Sequence, residues 1–172
     1  MKSIWNFARL VKFEHTLFAL PFALIGFFLA WTTISEPFPY LTIVLILLCV
    51  FFARNAAMGF NRYADREFDG RNPRTATREI PSNVIRPGAA AIFVVINCLL
   101  FILTTWFINP LCFYLSPVAL IVVLGYSLTK RFTPLAHLVL GLGLPLAPIG
   151  AYLSLTARFD LLPILFSFIV II

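Results

Sequence analysis

Residues 40–60 read YLTIVLILLCVFFARNAAMGF and pass, without a linker, into NRYADREFDGR at residues 61–71. The first part is apolar apart from a few polar residues, and Arg54 is its single charged residue. A transmembrane helix needs ~20 predominantly apolar residues, so this run is long enough to cross a bilayer. The sequence therefore predicts a membrane-spanning helix from Tyr40 to Phe60 that opens onto a polar segment.

The composition of the whole chain agrees with a membrane protein. The 172 residues are 61% hydrophobic and 12% charged, and 19 of them are Phe. A soluble domain has about 45–50% apolar and about 25% charged residues, so this class is excluded, and intrinsic disorder is excluded by the same values. At ~25–30 residues per span and turn, the length allows about five or six spans.

Proline-containing turns and charged loops divide the apolar sequence into separate runs. The predicted spans are Leu17–Ile34, Tyr40–Phe60, Gly88–Phe107, Leu111–Thr129 and Leu135–Ala157, with a truncated sixth that begins at Leu161. We therefore predict an all-α fold, a polytopic transmembrane helical bundle of about five full spans plus the truncated sixth. Residues 1–172 form a single membrane domain in this prediction.

The basic residues alternate between loops in the way that membrane topology predicts. The N-terminus, the segment after the second span and the loop after the fourth span are basic, whereas the loops between them are nearly free of positive charge. Cytoplasmic loops carry an excess of Lys and Arg, so the N-terminus and both basic loops are expected on the cytoplasmic side. The net charge of +6 is explained by this bias, and no nucleic-acid partner is expected.

Eleven of the 20 charged residues lie between Arg54 and Arg86. Asn61, Asp65 and Asp69 recur there at four-residue intervals, so on an α-helix they form one stripe of oxygen-bearing side chains. Carboxylate and amide oxygens suit Mg²⁺, which shares its remaining positions between water and substrate phosphate oxygens. The stripe therefore predicts a Mg²⁺ site with these three residues as candidate ligands.

Arginines follow the stripe within the same segment, at Arg71, Arg74 and Arg78. Guanidinium groups hold phosphate oxygens in bidentate fashion, so residues 61–87 are predicted to be a cytoplasmic substrate-binding segment for a diphosphate. The alternative is an exposed helix end with common, weak salt bridges. A charge at the bilayer centre costs at least about 2.5–3.5 kcal/mol, so a stripe that directly follows a span favours a polar chamber.

A second basic group ends the fourth span. Tyr126 and Lys130 are four residues apart, and Arg131 follows at the same predicted membrane face as the acidic stripe. These cations could neutralise a diphosphate leaving group, and the alternative is that they anchor the helix end on the cytoplasmic side. The coincidence of both charged clusters on one face favours the functional interpretation.

These motifs together resemble the UbiA-type intramembrane prenyltransferases. Asn61-xxx-Asp65-xxx-Asp69, followed by Arg71-Asn-Pro-Arg74-Thr-xx-Arg78, looks like the first aspartate-rich motif of that family. Tyr126-xxx-Lys130-Arg131-x-Thr133-xxx-His137 and the opening KFEHTLFALPFALIG at residues 12–26 resemble further blocks of the family, in the same order. The resemblance covers the whole chain and is strongest to members that act on 4-hydroxybenzoate and to relatives in menaquinone synthesis.

The resemblance implies an enzyme, an aromatic prenyltransferase of ubiquinone or menaquinone biosynthesis, that transfers a polyprenyl group from an allylic polyprenyl diphosphate to a small aromatic acceptor. It also implies Mg²⁺ as cofactor, the lipid bilayer as surroundings and a cytoplasmic-side active site in a bacterial inner membrane. Catalytic roles fall by this resemblance on Asp65, Lys130 and Arg131. Asn61, Asp65 and Asp69 would bind the metal, and the substrate would be bordered by Asn61, Asp69, Arg71, Arg74, Arg78 and Tyr126.

The family has a second aspartate-rich motif after its sixth span, so we expect the chain to be the N-terminal portion of a larger helical enzyme. The 172 residues alone are not expected to be active. A transporter or channel for an anionic substrate is the first alternative, but it predicts ionisable residues in mid-span, and apart from Arg54 the spans lack them. A non-catalytic membrane protein is the second alternative, and a second Asp-xxx-Asp motif would distinguish it from the enzyme.

Overall fold

The structure is a computed structural model that describes residues 2–11, 19–35, 37–129, 143 and 145–171. Within these ranges the chain forms helices joined by turns, with no β-strand. The helices are α1 (Lys2–Leu10), α2 (Leu20–Trp31), α3 (Tyr40–Arg71), α4 (Pro87–Trp106), α5 (Pro110–Thr129), α6 (Leu146–Thr156) and α7 (Leu161–Ile171). The predicted all-α class is therefore confirmed.

Three of these helices, α3, α4 and α5, are long and apolar enough to cross a membrane. The bounds of α4 and α5 agree closely with the predicted third and fourth spans, and α3 begins at Tyr40 as predicted for the second span. Both α4 and α5 begin at a proline, which fits the first helical position because the missing N–H has no partner there. The chain is accordingly an integral membrane protein.

The helix α3 is longer than a bilayer requires. Its 32 residues extend about 48 Å at 1.5 Å per residue, whereas the hydrocarbon core is about 30 Å thick. The helix continues without a break through the polar segment to Arg71 instead of ending at Phe60. The candidate stripe therefore lies on the same rigid element as the membrane span.

The shorter apolar helices α2, α6 and α7 match the remaining predicted spans in part. The helix α2 lies within the predicted span Leu17–Ile34, and α6 forms the end of the predicted span Leu135–Ala157. Residues 17, 18, 135–142 and 144 of these predictions lie outside the described residues. The helix α1 was not predicted from the sequence, because its nine residues carry Lys2 and Arg9 and are too few to span a membrane.

The helices form two packing units. In the first, α2 packs against α6 so closely that a Cβ atom on Gly26 would lie 2.2 Å from the carbonyl oxygen of Pro148. In the second, α3 packs against α4, and a Cβ on Gly59 would lie 3.0 Å from a methyl group of Val94. Small residues at such contacts let membrane helices approach closely.

At the end of the bundle away from the stripe, polar side chains join the helix termini. Asn109 donates from Nδ2 to the carbonyl oxygen of Leu153 at 2.9 Å, and its Oδ1 accepts from the N–H of Cys112 at 2.8 Å. The hydroxyl of the buried Tyr152 donates to Oδ2 of Asp160 at 2.5 Å. These bonds link α5, α6 and α7 on that side.

Candidate functional site

The polar stripe predicted from the sequence lies on the last three turns of α3. Asn61 and Asp65 are partly buried one helical turn apart, and Asp69 is buried a further turn on. Helical continuity through these residues confirms that the three oxygen-bearing side chains share one side of a single helix. Asn61 and Asp65 both have interaction partners in the structure.

Asp69 is paired with an arginine from the loop that follows α3. One guanidinium nitrogen of Arg78, Nη1, donates to Oδ1 of Asp69 at 2.6 Å and to Oδ2 at 2.7 Å. The carboxylate side chain is 10% exposed and the arginine 33% exposed, so water screens the pair only in part. The sequence placed both residues in the same site, and the structure brings these two into direct contact.

The loop at residues 72–86 is anchored to the helices at both ends. Thr75 donates from its hydroxyl to the carbonyl oxygen of Asp69 at 3.0 Å, which ties the first turn of the loop to the end of α3. Farther along, Ile80 and Ile85 are buried with Leu10 of α1. The loop is therefore packed against the helices and holds Arg78 in a defined position.

The other two arginines predicted to bind substrate, Arg71 and Arg74, are exposed. Neither makes an ion pair in the part of the chain that the structure describes. The backbone N–H of Arg74 donates to Oδ1 of Asn72 at 3.0 Å, which fixes the turn that carries this arginine. Both guanidinium groups are thus available to an anion that approaches the end of α3.

A buried polar row on α3 was missed by the sequence reasoning. Asn55, Arg62 and Asp69 recur at seven-residue intervals, which returns them to nearly the same side of a helix, and all three are buried. Among the described residues, neither Oδ1 of Asn55 nor Nε of Arg62 has a hydrogen-bond partner. The seven-residue spacing was the signal available in the sequence.

Arg62 lies in an environment rich in charge. The groups that act electrostatically on its guanidinium are Arg78, Glu79, Asp69 and Asp65. A buried guanidinium is stabilised by nearby carboxylates, and it leaves the site less negative than the stripe alone would suggest. Arg62 therefore belongs to the charged network at the end of α3 and is not a solvated surface residue.

Arg54 is the deepest charged residue on α3. Its Nε atom is buried and has no hydrogen-bond partner in the part of the chain that the structure describes. Arg54 precedes Asn61 by seven residues, so the two lie on nearly the same side of the helix, about 10.5 Å apart along the axis. An arginine with an unpaired nitrogen on the stripe side of a membrane-crossing helix is a candidate for binding an anionic group of a ligand.

The second predicted cluster lies partly outside the described residues. Tyr126 is half-buried in the last turn of α5, where its carbonyl oxygen accepts a hydrogen bond from Thr129 at 3.0 Å. Lys130 and Arg131 are among the residues that the structure does not describe. The packing of α5 against α3 puts the end of α5 beside the stripe helix.

The side-chain oxygens of the stripe are of the type that Mg²⁺ binds. Asn61 and Asp65 offer an amide and a carboxylate oxygen one turn apart, which matches the one or two carboxylates that Mg²⁺ uses alongside water and phosphate. Both oxygens of Asp69 already accept from Arg78. Within the described ranges, no group of three or more His, Cys, Asp or Glu side chains is arranged to hold a metal.

The fold and this site define a multi-pass membrane protein with oxygen ligands and arginines clustered at one end of its central helix. The sequence profile of the UbiA prenyltransferase family matches residues 19–172. The chain therefore belongs to the UbiA prenyltransferase family, as the motifs predicted.

Two curated relatives illustrate the similarity. A 4-hydroxybenzoate octaprenyltransferase of Tolumonas auensis is 35% identical over 149 residues, which are 86% of this chain and 51% of the relative. The protein of the same name from Aliivibrio salmonicida is 31% identical over 153 residues, covering 88% of this chain and 52% of the relative. The chain thus spans about half the length of the curated relatives it matches.

Solved structures share the fold. The apo structure of a UbiA homolog from Aeropyrum pernix superposes with a TM-score of 0.79 at 30% identity, over 92% of this chain and 57% of that one. A UbiA homolog from Archaeoglobus fulgidus bound to GPP and Mg²⁺ superposes with a TM-score of 0.79 at 21% identity, over 96% of this chain and 60% of that one.

Proposed function

We propose that the complete protein transfers a polyprenyl group from an allylic polyprenyl diphosphate to an aromatic acceptor of the 4-hydroxybenzoate type. The reaction takes place at the cytoplasmic side of a bacterial inner membrane and serves quinone biosynthesis. The observation that carries the proposal is the position of Asn61 and Asp65 on α3, where a membrane-spanning helix continues into a cluster of arginines. The substrates named for similar proteins support the same conclusion.

The metal ligands in this proposal are Asn61 and Asp65, with Asp69 as the third candidate. Bound Mg²⁺ would neutralise charge on the diphosphate as it departs. Asn61 contributes an amide oxygen in place of a third carboxylate, which keeps the protein's own negative charge at the site low. The nearby guanidinium of Arg62 has the same effect, because it balances the carboxylates of Asp65 and Asp69.

The arginines that bind the diphosphate differ in whether they are already paired with a carboxylate. Arg71 and Arg74 are exposed and reach the phosphates from the loop, and Lys130 and Arg131 complete the set with Tyr126. Arg78 is already held by Asp69, so a substrate phosphate competes with that carboxylate for the same guanidinium. Transfer of Arg78 to a phosphate would free the oxygens of Asp69 for the metal.

The acceptor is bound deeper, with Arg54 as the ligand of its carboxylate. The Nε of Arg54, which has no hydrogen-bond partner among the described residues, lies about 10.5 Å below Asn61 along the same side of α3. A buried arginine suits this role because its planar group pairs with a carboxylate through two hydrogen bonds. The acceptor ring would then face the reacting end of the prenyl chain.

The chemistry follows from this arrangement. The bond between the first allylic carbon and the diphosphate oxygen breaks, a carbon–carbon bond forms to the aromatic ring, and the ring loses a proton to solvent. The basic residues stabilise the negative charge that develops on the diphosphate. The apolar helices exclude water that would otherwise react with the allylic cation.

The test uses membranes that contain the full-length protein, a labelled polyprenyl diphosphate, 4-hydroxybenzoate and Mg²⁺. Asp65→Asn is expected to lower the rate of labelled product formation by at least about 100-fold, the range lost when one electrostatic group of an active site is removed. Glu67→Gln is the matched control, because this exposed carboxylate is only two residues away and makes a weak 3.5 Å contact with Arg66. Turnover by Asp65→Asn at the wild-type rate would refute the site assignment.

A further inference from the structure

A lateral cavity of about 300 Å³ lies between α3, α4 and α5. It is lined by apolar side chains, among them Phe60, Tyr63, Val95, Cys98, Leu99 and Leu124. Its volume lies at the lower end of the range of about 300–1,000 Å³ that is typical of sites for small ligands. We call this feature the lateral groove.

The lateral groove is separate from the candidate active site. At 100° per residue, Tyr63 points about 160° away from Asp65 around the axis of α3, and Phe60 points about 140° away from it. The groove therefore lies behind α3 with respect to the metal stripe. A molecule in the groove would not contact the diphosphate site.

The lateral groove is open to the surroundings of the helices. Val95 and Leu99 on its rim are 56% and 61% exposed, respectively. Because α3, α4 and α5 are all long and apolar enough to cross a membrane, an apolar face on these helices suits contact with lipid chains. An apolar cleft of this size that opens sideways from membrane-spanning helices accommodates a hydrocarbon chain.

A fixed positive charge lies at the polar end of the lateral groove. The guanidinium carbon of Arg66 is 4.6 Å from the centre of the Tyr63 ring, and Nη1 donates to the Tyr63 carbonyl oxygen at 2.9 Å. The side chain of Arg66 is still 34% exposed, and its neighbour Glu67 competes only through an exposed 3.5 Å contact. Arg86, at the N-cap of α4, adds a second exposed cation near the same end.

We propose that the lateral groove binds one acyl chain of an anionic phospholipid, with Arg66 paired to the head-group phosphate. The apolar lining packs against the acyl chain. Arg66, held on the Tyr63 ring, favours a negatively charged head group. Arg66 is positioned in advance by its two contacts with Tyr63, so little side-chain freedom is lost on binding. The site does not depend on prenyl transfer, because it lies on the opposite side of α3.

Cys98 provides a reporter within the groove. In the full-length protein with every other cysteine replaced by Ala, including Cys49 and Cys112, the rate of Cys98 alkylation by N-ethylmaleimide is measured in a neutral detergent. The detergent is supplemented with either phosphatidylglycerol or phosphatidylcholine of the same acyl chains. We expect phosphatidylglycerol to slow alkylation about fivefold more than phosphatidylcholine, the factor expected for one basic residue near an anionic head group.

The variant Arg66→Gln keeps the groove and removes the charge, so the two lipids should then protect Cys98 equally. Arg158→Gln, an exposed arginine on α6–α7 at the other end of the bundle, should leave the fivefold difference intact. Equal protection by both lipids in the parent protein would overturn the preference for an anionic head group. Equal alkylation rates with and without either lipid would overturn the site itself.

A second pair of variants tests the occupancy of the groove by volume. Leu99→Trp fills the lateral groove and should reduce the amount of phosphatidylglycerol that co-purifies with the protein. Leu103→Trp lies one turn farther along α4, is 53% exposed and is outside the groove, so it should retain the lipid. Retention of the same amount of lipid by both variants would contradict the proposal.

Discussion

Arg78 binds both carboxylate oxygens of Asp69 through a single guanidinium nitrogen, at 2.6 and 2.7 Å. The two residues are nine positions apart, and the contact closes the loop after α3 back onto the helix that carries the polar stripe. The pair holds the loop in position and also offsets the negative charge of Asp69 on the stripe. A change in either residue should therefore alter both stability and substrate binding.

Arg78→Gln should lower the free energy of unfolding of the full-length protein by about 1.5–3 kcal/mol, because the buried carboxylate of Asp69 loses a charge-assisted hydrogen bond. The double variant Asp69→Asn with Arg78→Gln should recover part of this loss, because no unpaired charge is left. Unfolding in a denaturing detergent measures all three proteins. Arg158→Gln breaks an exposed ion pair and should change stability by less than about 1 kcal/mol. Strict additivity of the two single changes would contradict the coupling.

Arg54→Gln should raise the KM for 4-hydroxybenzoate at least about tenfold, because the loss of a charge-assisted hydrogen bond costs about 1.5–3 kcal/mol. The KM for the polyprenyl diphosphate should stay unchanged, since Arg54 lies about 10.5 Å from Asn61 along α3. Steady-state kinetics in membranes with each substrate varied separately measures both values. Arg54→Lys should restore part of the affinity. A parallel rise in both KM values would count against Arg54 as the acceptor's ligand.

Gly26→Ala should destabilise the packing of α2 against α6, because the added Cβ would lie 2.2 Å from the Pro148 carbonyl oxygen, which is backbone and cannot rotate away. Overpacking of this kind costs about 1–3 kcal/mol, and the loss can be measured as a lower midpoint of unfolding. Gly150→Ala on α6 is the matched control. A Cβ there meets no atom of the described residues within 4 Å, so unchanged or slightly higher stability is expected. Equal midpoints for both variants would disprove the close contact.

Tyr152→Phe should destabilise the protein by about 1.5–3 kcal/mol, because the hydroxyl donates to the charged Asp160 from a residue that is 2% exposed. Thermal unfolding in detergent is the measurement. Tyr114→Phe provides the comparison, because Tyr114 is 75% exposed and its hydroxyl makes no such bond to any described residue. The predicted order is that Tyr152→Phe unfolds at a lower temperature than Tyr114→Phe, and the reverse order would refute the role of the bond.

The helices of this fold could be predicted because the bilayer leaves few choices. Backbone groups in lipid must be satisfied within the segment, so an apolar run long enough to cross becomes a helix. The bounds of α4 and α5 follow from this rule and from the prolines at their starts. The stripe of Asn61, Asp65 and Asp69 was equally accessible, since its spacing has meaning only on a helix.

Other features depend on contacts that a linear pattern does not contain. Arg62 is buried, and the charges that act on it include Arg78 and Glu79 from the following loop, whose positions depend on the turns after α3. The helix α1 is too short and too polar for hydropathy to identify, and its burial through Leu10 depends on Ile80 and Ile85. In both cases, tertiary packing determines the surroundings of the residue or helix, and the local sequence does not.

The uninterrupted course of α3 has a consequence for how this protein can change over evolution. The helix acts as a ruler between Arg54 and Asn61, because each residue adds a fixed rise of about 1.5 Å and a fixed turn of about 100°. One inserted or deleted residue between them would rotate the two groups out of alignment, whereas seven would restore the angle but change the distance by about 10.5 Å. Insertions and deletions should therefore be absent from this stretch, so that substrate range varies by side-chain replacement along α3.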